Sequence, residues 1–477
     1  MRYSPLLTDL YELTMLAGYL EQGMHERPAV FDLFFRHNPF NGSYAVFAGL
    51  ETALCYLEQF RFEDEELSYL EGLGIFPKNF ISYLETFRFK GSITAPAEGS
   101  VVFAREPLLT VEGGLAEAQF IETALLNIIN FQTLVATKAA RINHAAGEGT
   151  VLEFGLRRAQ GPNGGLSEAR AAYIGGVRST SNVMAGMRYG IPVRGTHAHS
   201  WIMAFPDELT AFRCYADSFP DSSVLLIDTY DTLKSGLPNA LMVARELKEK
   251  GHQLVGVRID SGDLAYLSRQ VRAAFDAAGL PGVKILASNE LDEYVIDSIR
   301  KEGGKVDIYG VGTRLATCAG EGGGALGGVY KLVRIGDEPK LKVTSDVSKA
   351  TLPDRKKVLR AVAPDGSFIQ DIITLQDEEI APGAMVYDPA NPLQHVRIPA
   401  EARLVLIREP VMERGTRCAP SPTLENSADH ASNELSRLPE GCLRLVNPHI
   451  YKVSISAGMN SLRMKLVTQI QSRYSLT

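Results

Sequence analysis

The chain has 477 residues, of which 45% are hydrophobic and 22% are charged, which is the balance of a globular protein with two or three domains. The formal net charge of −7 argues against nucleic acid as a partner. The most basic cluster, PDRKKVLR at 353–360, is short, and we interpret it as a solvated turn. The five cysteines lie far apart without a C-x-x-C pair, which argues against a disulfide framework or a thiolate zinc site and favours the reducing cytoplasm.

The first 150 residues indicate an α+β region. TDLYELTMLAGYLEQG predicts a helix that opens at Thr8 or Asp9 and ends at Gly23, and FDLFFR predicts a strand. The stretch 91–114, with Gly and Pro at its turns, predicts short antiparallel strands, and 115–147 predicts a long helix. We assign residues 1–148 to this N-terminal domain.

We expect no association with a membrane. The N-terminus, MRYSPLLTDLYELTM, lacks the apolar core of a signal peptide. The most apolar helical segment, 120–136, is interrupted by Glu122, Asn127, Asn130 and Gln132, and a membrane span needs a longer apolar run.

From about residue 150 to 335 a short β-rich run repeatedly ends in polar residues and is followed by a helical stretch. The runs are TVLEFGLRRA, GIPVRGTHAHS, SVLLIDTYDT, QLVGVRIDSGDL, VKILASNELD, VDIYGVGTRL and GGVYKLVR. Apolar strands that alternate with helices indicate buried parallel strands in βα units. Because the last step is too short for a full helix, the sequence predicts an incomplete βα barrel at 149–335.

The C-terminal segment, 336–477, contains strand-like pieces and loops, and we expect it to pack partly on the N-terminal domain. The Ser-, Pro- and charge-rich stretch 413–440 is the best candidate for a flexible loop. The predicted fold class is therefore α/β: an incomplete barrel with an α+β domain built from both terminal segments.

Catalytic groups collect at the carboxyl ends of parallel strands, where this chain carries a set of polar residues. They are Glu153, Arg157, Thr196, His199, Asp228, Arg258, Asp260, Asp263, Ser288, Asn289 and Thr313. Asp231, Ser261 and Asn289 also stand where helix N-caps belong, so capping is the alternative role for those three.

The stretch GTHAHSW at 195–201 places His197 and His199 two residues apart at the end of a strand. A metal site, a general base, a covalently modified histidine and a structural role all compete. A transition-metal site is disfavoured because no other histidine lies at a later strand end, and a catalytic zinc needs further ligands.

Two glycine-rich turns, YGVGT at 309–313 and GEGGGALGGVYK at 320–331, are candidates for phosphate binding because a backbone without Cβ can approach phosphate oxygens. A flexible surface loop is the alternative. Arg157, Arg258 and Lys331 could neutralise phosphates at the same rim. RIDSGDL, with Asp260 and Asp263 beside Arg258, suits a ribose diol or a hydrated Mg²⁺.

Several motifs together resemble the nicotinate phosphoribosyltransferase family of the type II phosphoribosyltransferase fold. They are TDLYELTM, EFGLRRAQG, GTHAHSW, IDTYDT, RIDSGDL, YGVGT and ALGGVYKLV, in that order. The resemblance runs from about residue 5 to beyond 360 and returns weakly at NPHIYKVSIS. It implies an enzyme that joins nicotinate to phosphoribosyl pyrophosphate, giving nicotinate mononucleotide and pyrophosphate, the first step of NAD synthesis from nicotinate. It also implies ATP as co-substrate, Mg²⁺, and a phosphorylated histidine.

The resemblance assigns roles residue by residue. His199, the last residue of G-T-x-x-H, is the phosphorylated histidine, and His197 fills a variable position. The pyridine stacks between Tyr11 and Phe154, with Tyr11 contributed by the neighbouring subunit of a homodimer. Thr196, Arg258 and Thr313 match substrate-contact positions.

The predicted site contains the residues that the resemblance implies together with residues at strand ends and in the glycine-rich turns. None of them is assigned as a metal ligand. Its catalytic residues are His199, Asp260 and Asp263, and its substrate-binding residues are Tyr11, Phe154, Arg157, Ser181, Thr196, Arg258, Gly310, Gly312, Thr313, Gly327 and Gly328.

Two other functions stay open at this point. A sister enzyme on the same fold uses nicotinamide and carries aspartate in a T-D-T segment, where this chain has Ser181 in STSNV. An anionic side chain suits an amide and repels a carboxylate, so Ser181 favours nicotinate. A non-catalytic binding protein on a decayed barrel is the third possibility, and the intact motifs argue against it.

Overall fold

The computed structural model of the chain describes residues 3–343, 351–391 and 393–474, and the fold is mixed α/β. The helices are α1 Leu10–Glu21, α2 Leu50–Glu58, α3 Asp64–Gly72, α4 Lys78–Glu85, α5 Leu115–Phe120, α6 Glu122–Ala146, α7 Gly161–Ile174, α8 Val183–Tyr189, α9 His199–Met203, α10 Glu208–Ser218, α11 Leu237–Glu249, α12 Leu264–Ala277, α13 Glu293–Lys301, α14 Thr313–Ala316, α15 Leu424–Ser436, α16 Glu440–Leu443 and α17 Ala457–Tyr474. The strands are β1 Pro28–Phe35, β2 Ala45–Val46, β3 Ser92–Ala95, β4 Val101–Val102, β5 Leu109–Gly114, β6 Thr150–Glu153, β7 Val224–Leu226, β8 Gly256–Ile259, β9 Lys284–Ser288, β10 Ile308–Val311, β11 Gly328–Ile335, β12 Glu338–Pro339, β13 Lys356–Val362, β14 Phe368–Leu375, β15 Met385–Tyr387, β16 His395–Arg397, β17 Arg403–Leu406, β18 Glu409–Glu413, β19 Thr416–Arg417 and β20 Lys452–Ser456.

The chain divides into two compact units. The terminal unit contains Met1–Leu134 and Ala325–Thr477, and the barrel unit contains Val135–Gly324. We predicted the divisions after residues 148 and 335. The first division differs because it falls inside the long helix α6, and the second differs because the run GGVYKLVR becomes β11, which pairs antiparallel with β1 of the terminal unit.

The terminal unit contains a seven-stranded sheet in the order β12-β11-β1-β5-β3-β18-β19, with antiparallel neighbours. The expected helix at the N-terminus and the expected antiparallel strands at 91–114 are both present, as α1 and as β3 to β5. Asp32 in the centre of β1 is buried; the Thr110 hydroxyl donates to it at 2.6 Å, and Lys356 pairs with it at 2.6 Å.

A second sheet of the terminal unit has six strands in the order β16-β15-β20-β14-β13-β17. The basic cluster that we interpreted as a solvated turn forms part of β13, so that interpretation is wrong. Lys356 and Arg360 are both buried there, because the carboxylates of Asp32 and Asp371 neutralise them at 2.6 and 2.8 Å.

The prediction of a flexible loop at 413–440 is also wrong, because residues 424–436 form helix α15. Thr423 caps its N-terminus by accepting a hydrogen bond from the Asn426 backbone N–H at 3.1 Å. Ala428 and Ala431 are buried on one face of the helix. Charged residues such as Asp429, which led us to predict a loop, lie on the exposed side of this helix, whose other face carries the apolar stripe.

The predicted long helix is present as α5 and α6. By length and composition alone the stretch Leu115–Ala146 could cross a membrane, because an 18-residue window within it has a mean hydropathy of 1.2. However, 67% of that window is buried inside the protein, as in the core helix of a globular fold.

The barrel unit is built on a parallel sheet in the order β6-β10-β9-β8-β7. Beyond β6 the ladder continues as single parallel bridges, from Glu153 to Thr180 and from Thr180 to Val193. A core of buried aliphatic and aromatic side chains that includes Phe212, Ile227, Val257 and Phe275 packs the helices against these strands. The expected incomplete βα barrel is therefore confirmed, and the carboxyl ends of its strands share one edge.

Candidate active site

Arg258, near the end of β8, is the centre of a hydrogen-bond network at the carboxyl edge of the barrel sheet. Its Nε donates to the Ser288 hydroxyl at 2.8 Å, its Nη1 to the Thr196 hydroxyl at 3.3 Å, and its Nη2 to Asp260 Oδ1 at 2.9 Å. The Ser288 hydroxyl also donates to Asp260. The side chain of Arg258 is only 11% exposed, so its contacts hold a charge that is largely withdrawn from water.

Phe154 follows β6 and presents its ring to this network. The guanidinium carbon of Arg258 lies 5.7 Å from the ring centroid, within the range of a cation–π contact. Gly310 on β10 lies against the same ring, because a Cβ at that position would be 2.7 Å from it. A glycine is therefore required here by close packing rather than by backbone conformation.

His199 begins helix α9, and both of its ring nitrogens face polar groups. Nδ1 lies 3.0 Å from the Thr229 hydroxyl, and Nε2 lies 3.8 Å from Asp260 Oδ2. The side chain is 41% exposed. The ring is thus oriented from two sides and remains open to a ligand, which are the requirements for a nucleophile.

Asp228, just after β7, is the second carboxylate of the site. Its Oδ2 accepts from the Asp260 backbone N–H at 2.9 Å and from the Ser261 hydroxyl at 2.5 Å. Its Oδ1 is buried and has no hydrogen-bond partner among the described residues. A buried carboxylate oxygen without a partner is costly, so this atom is suited to a cation or a water-bound cation.

Glu153, the last residue of β6, directly precedes Phe154 and connects the end of the strand to the turn at Thr180. It is buried and accepts hydrogen bonds from the Thr180 hydroxyl and from the Gly155 backbone N–H. Burial raises the pKa of Glu153. The Ser181 backbone N–H donates to the Glu153 carbonyl at 2.9 Å, so this one residue positions both Phe154 and Ser181.

The barrel unit places three further predicted residues at this edge without joining them to the network around Arg258. Arg157 is exposed in the short 3-10 turn Leu156–Arg158. Asp263 is exposed and caps α12, accepting from the Tyr266 backbone N–H at 2.8 Å. Thr313 begins α14 directly after Gly312, whose Cα faces the Phe154 carbonyl, since a Cβ there would be 3.0 Å from that oxygen.

The capping alternatives resolve differently for each residue. Asp231 does cap a helical turn, accepting from Leu233 and Lys234 backbone N–H groups. Asp263 rather than Ser261 caps α12, and Asp292 rather than Asn289 caps α13. Asn289 instead adopts a positive φ of 88° in the turn after β9.

Tyr11, Gly327 and Gly328 belong to the terminal unit. Tyr11 on α1 is 46% exposed, and burial of its hydroxyl, then its contact with Glu12, raises its pKa, so the phenol is neutral. Gly327 has a φ of +70°, and Gly328 opens β11 against the Asn130 side chain, leaving no room for a Cβ. Lys331 on β11 pairs with Glu122 at 3.9 Å.

Thr229 contacts the His199 ring and was not among the predicted site residues. For His197 a structural role was one of the alternatives, and the structure shows its partner: the ring accepts a hydrogen bond from the Leu226 backbone N–H at 3.2 Å. Thr229 stands in the quoted motif IDTYDT, so its position at a strand end was a usable signal. The partner of His197 is a backbone group, which leaves no mark in a sequence.

Comparisons with known proteins cover nearly the whole chain. Residues 6–130 match the nicotinate phosphoribosyltransferase N-terminal domain, 150–362 the nicotinate phosphoribosyltransferase family, and 355–463 its C-terminal domain. Nicotinate phosphoribosyltransferase of Bacillus subtilis (strain 168) is 44% identical over 98% of this chain and 96% of its own. The Homo sapiens protein of the same name is 36% identical over 96% of each chain.

Solved structures give the same answer. The crystal structure of human nicotinic acid phosphoribosyltransferase superposes with a TM-score of 0.85 at 35% identity, covering 96% of this chain and 99% of that one. Nicotinate-nucleotide pyrophosphorylase from Pyrococcus furiosus shares the fold, with a TM-score of 0.71 at 23% identity over 91% of this chain and 95% of that one. The chain therefore belongs to the nicotinate phosphoribosyltransferase family.

Proposed function

We propose that this enzyme couples the transfer of a phosphoribosyl group onto nicotinate to the hydrolysis of ATP, through a phosphohistidine at His199. The observation that carries the proposal is the setting of that ring, which is 41% exposed, 3.0 Å from the Thr229 hydroxyl and 3.8 Å from Asp260. A histidine kept only for packing would be buried and would not need two polar contacts at a strand end.

The phosphoryl step uses the neutral imidazole. A ring nitrogen of His199 attacks the γ-phosphorus of ATP, a nitrogen–phosphorus bond forms, and ADP leaves with the electrons of the broken bond. Asp260 faces Nε2 and stabilises the positive charge that develops on the ring. Water later cleaves the phosphohistidine to inorganic phosphate.

The glycosyl step needs no general base. The pyridine nitrogen of nicotinate carries its own lone pair and attacks C1 of phosphoribosyl pyrophosphate, the C1–oxygen bond breaks, and pyrophosphate leaves. The ribose passes through a positively charged, oxocarbenium-like state, so catalysis consists chiefly of positioning and electrostatics. Phe154 offers one aromatic face to the electron-poor pyridine, and Tyr11 of a second copy offers the other.

Arg258 is our candidate for the group that recognises the carboxylate of nicotinate. Three hydrogen bonds to Ser288, Thr196 and Asp260 use three of the five N–H donors of a guanidinium, as far as the described residues go. The other two are available to a ligand beside Phe154. Ser181, whose backbone N–H donates to the carbonyl of Glu153 next to Phe154, is neutral and adds no negative charge that would repel a carboxylate.

Mg²⁺ fits the carboxylates of this edge. Asp228 Oδ1 is a buried oxygen without a partner among the described residues, and the Asp260 backbone N–H donates at 2.9 Å to Oδ2, the other oxygen of the same carboxylate. A magnesium ion prefers one or two carboxylates and keeps several waters. We expect Asp228 and Asp260 to hold it, and its charge would neutralise phosphate oxygens.

A homodimer with shared active sites is the assembly that we propose. In the terminal unit, Leu10 and Tyr11 of α1 are 55% and 46% exposed. In the barrel unit, Val183, Met184 and Met187 of α8 are 70%, 58% and 81% exposed, two to six residues after Ser181. Large apolar side chains exposed next to a site are typical of an interface that a partner covers.

The cellular setting that we propose is the cytoplasm, in the first step of NAD synthesis from nicotinate. All five cysteines are free thiols, as a reducing compartment requires.

The test of the proposed function is a coupled assay that measures nicotinate mononucleotide, pyrophosphate and ADP with and without ATP. ADP formed in step with the mononucleotide supports coupling, whereas mononucleotide formation that ATP leaves unchanged would refute it.

A further inference from the structure

Among the described residues, the strand ladder of the barrel unit does not close on itself, and we call the gap between its two ends the seam. At one end the ladder stops at the bridge from Thr180 to Val193, and at the other it stops at β7, which pairs with β8. Within the described residues no strand pairing joins the segment 192–194 to β7. The backbone groups on the outer edge of β7 therefore need partners other than a neighbouring strand.

His197 supplies such a partner at the seam. The Leu226 backbone N–H on β7 donates to Nε2 of His197 at 3.2 Å, and both residues are buried, at 1% and 8% exposure. An imidazole nitrogen thus takes the place that a carbonyl oxygen of an adjacent strand would occupy. Without it the Leu226 N–H would be buried without an acceptor.

This contact fixes the chemical state of the His197 ring. Nε2 can accept only if it carries a lone pair, so the ring is neutral and its proton is on Nδ1, which lies 3.3 Å from the Ala198 carbonyl. The edge-on packing of Tyr215, with 4.6 Å between ring centroids, holds the imidazole in place. Burial lowers the pKa of His197 to about 4, in agreement with a neutral ring.

The same stretch of backbone also anchors His199. Thr229, which lies 3.0 Å from His199 Nδ1, follows Leu226 by three residues. His197 and His199 therefore both contact the short segment 226–229, which contains the end of β7 and the residues after it. A shift of the His197 contact along β7 would therefore move the His199 ring relative to Thr229 and Asp260.

We propose that His197 is a positioning residue, whose Nε2 closes the barrel seam on the Leu226 N–H and so places the His199 ring for phosphorylation. The inference rests on the proposed phosphohistidine and adds a role for the neighbouring histidine. The competing explanation is that His197 only fills space between the barrel and Tyr215. The two explanations differ in whether the accepting nitrogen matters.

The matched pair H197Q and H197L separates them. Glutamine places its side-chain oxygen near the position of Nε2 and keeps the acceptor, whereas leucine fills the space without one. Thermal unfolding identifies any variant that fails to fold. On folded protein, the measurements are the rate of phosphoenzyme formation from ATP and the rate of mononucleotide formation without ATP.

We expect H197L to slow phosphoenzyme formation about tenfold or more, because a displacement of a reacting group by about 1 Å can cost a factor of a hundred. H197Q should recover most of that rate, and transfer without ATP should change little in either variant. Equal rates in H197L and wild type would overturn the inference alone. If the wild type forms no phosphoenzyme, the proposed function fails and this inference fails with it.

A second measurement does not depend on the reaction. In protein labelled with ¹⁵N in histidine, the ring signals of His197, assigned by their loss in H197Q, should show a protonated Nδ1 and an unprotonated Nε2. Free imidazole side chains favour the opposite tautomer, so this result identifies the bond to Leu226. A proton on Nε2 of His197 would overturn the proposed contact whatever the kinetics.

Discussion

His199 and Thr229 lie within hydrogen-bonding distance, with 3.0 Å between the ring Nδ1 and the hydroxyl oxygen. A ring with its proton on Nδ1 can donate to the Thr229 hydroxyl, which keeps the lone pair on Nε2. Nε2 faces Asp260 at 3.8 Å, which is too long for a hydrogen bond, so its lone pair stays free to attack a phosphoryl group. The contact fixes the plane of the ring while leaving it open to a phosphate donor.

The first prediction concerns Thr229. T229V keeps the shape of the side chain and removes the hydroxyl, so the His199 ring loses one of its two polar contacts. We expect phosphoenzyme formation to slow about tenfold, since misorientation of a nucleophile is costly. T229S keeps the hydroxyl and is the control. Rapid-quench measurement of the phosphoenzyme checks the prediction, and equal rates in T229V and T229S would count against it.

The second prediction concerns substrate charge at Ser181. The wild type should prefer nicotinate over nicotinamide, because Arg258 would lose a charged hydrogen bond worth about 1.5–3 kcal/mol with the amide. S181D should lower kcat/KM for nicotinate and narrow the preference, since an added carboxylate repels the substrate carboxylate. S181N is the neutral control of similar size. If S181D and S181N showed the same preference for nicotinate over nicotinamide, the charge at position 181 would have no influence on substrate selection.

The third prediction concerns Gly310. A Cβ there would lie 2.7 Å from the Phe154 ring, so G310A should displace the ring and raise the KM for nicotinate about tenfold or more. G282A is the matched control, because a Cβ at Gly282 meets no atom within 4 Å. The KM for nicotinate in both variants checks the prediction. An unchanged KM in G310A would mean that Phe154 does not contact the pyridine.

The fourth prediction concerns the shared site. If one subunit supplies Tyr11 and the other supplies Phe154, His199 and Arg258, then Y11A and H199A should each be inactive in ATP-coupled synthesis. A mixed dimer of the two would have one site without either mutation and one with both, so it should recover about half of wild-type activity. Co-expression with two affinity tags isolates the mixed dimer. A purified mixed dimer as inactive as its parents would place Tyr11 in the site of its own chain.

Alternating apolar strands and helices were enough to predict the barrel and the edge at which the candidate site lies. Arg258 and Ser288 stand near the ends of the neighbouring strands β8 and β9, and Thr196 follows the bridge at Val193. The three meet because parallel strands end at one edge. The division into units was harder to predict. β11 pairs with β1 across about 300 residues of sequence, and no local pattern encodes a pairing at that distance.

The burial of charged residues was the other feature that we predicted wrongly from composition. Lys356 and Arg360 stand in a basic run that is typical of a solvated surface, and only their partners Asp32 and Asp371 make a buried position possible. The contact of His197 could not be predicted for a related reason, since its partner is the backbone N–H of Leu226. Contacts with distant side chains or with backbone have no signature in the order of residues.

In the proposed mechanism His199 carries the phosphate from ATP. The most direct test incubates the enzyme with ATP labelled in its γ-phosphate, digests it at alkaline pH, and maps the labelled peptide by mass spectrometry. We predict one acid-labile phosphate on His199 and none in H199A, which should also lose ATP hydrolysis while retaining slow transfer without ATP. Phosphate on His197, or ATP-coupled synthesis that persists in H199A, would contradict the account.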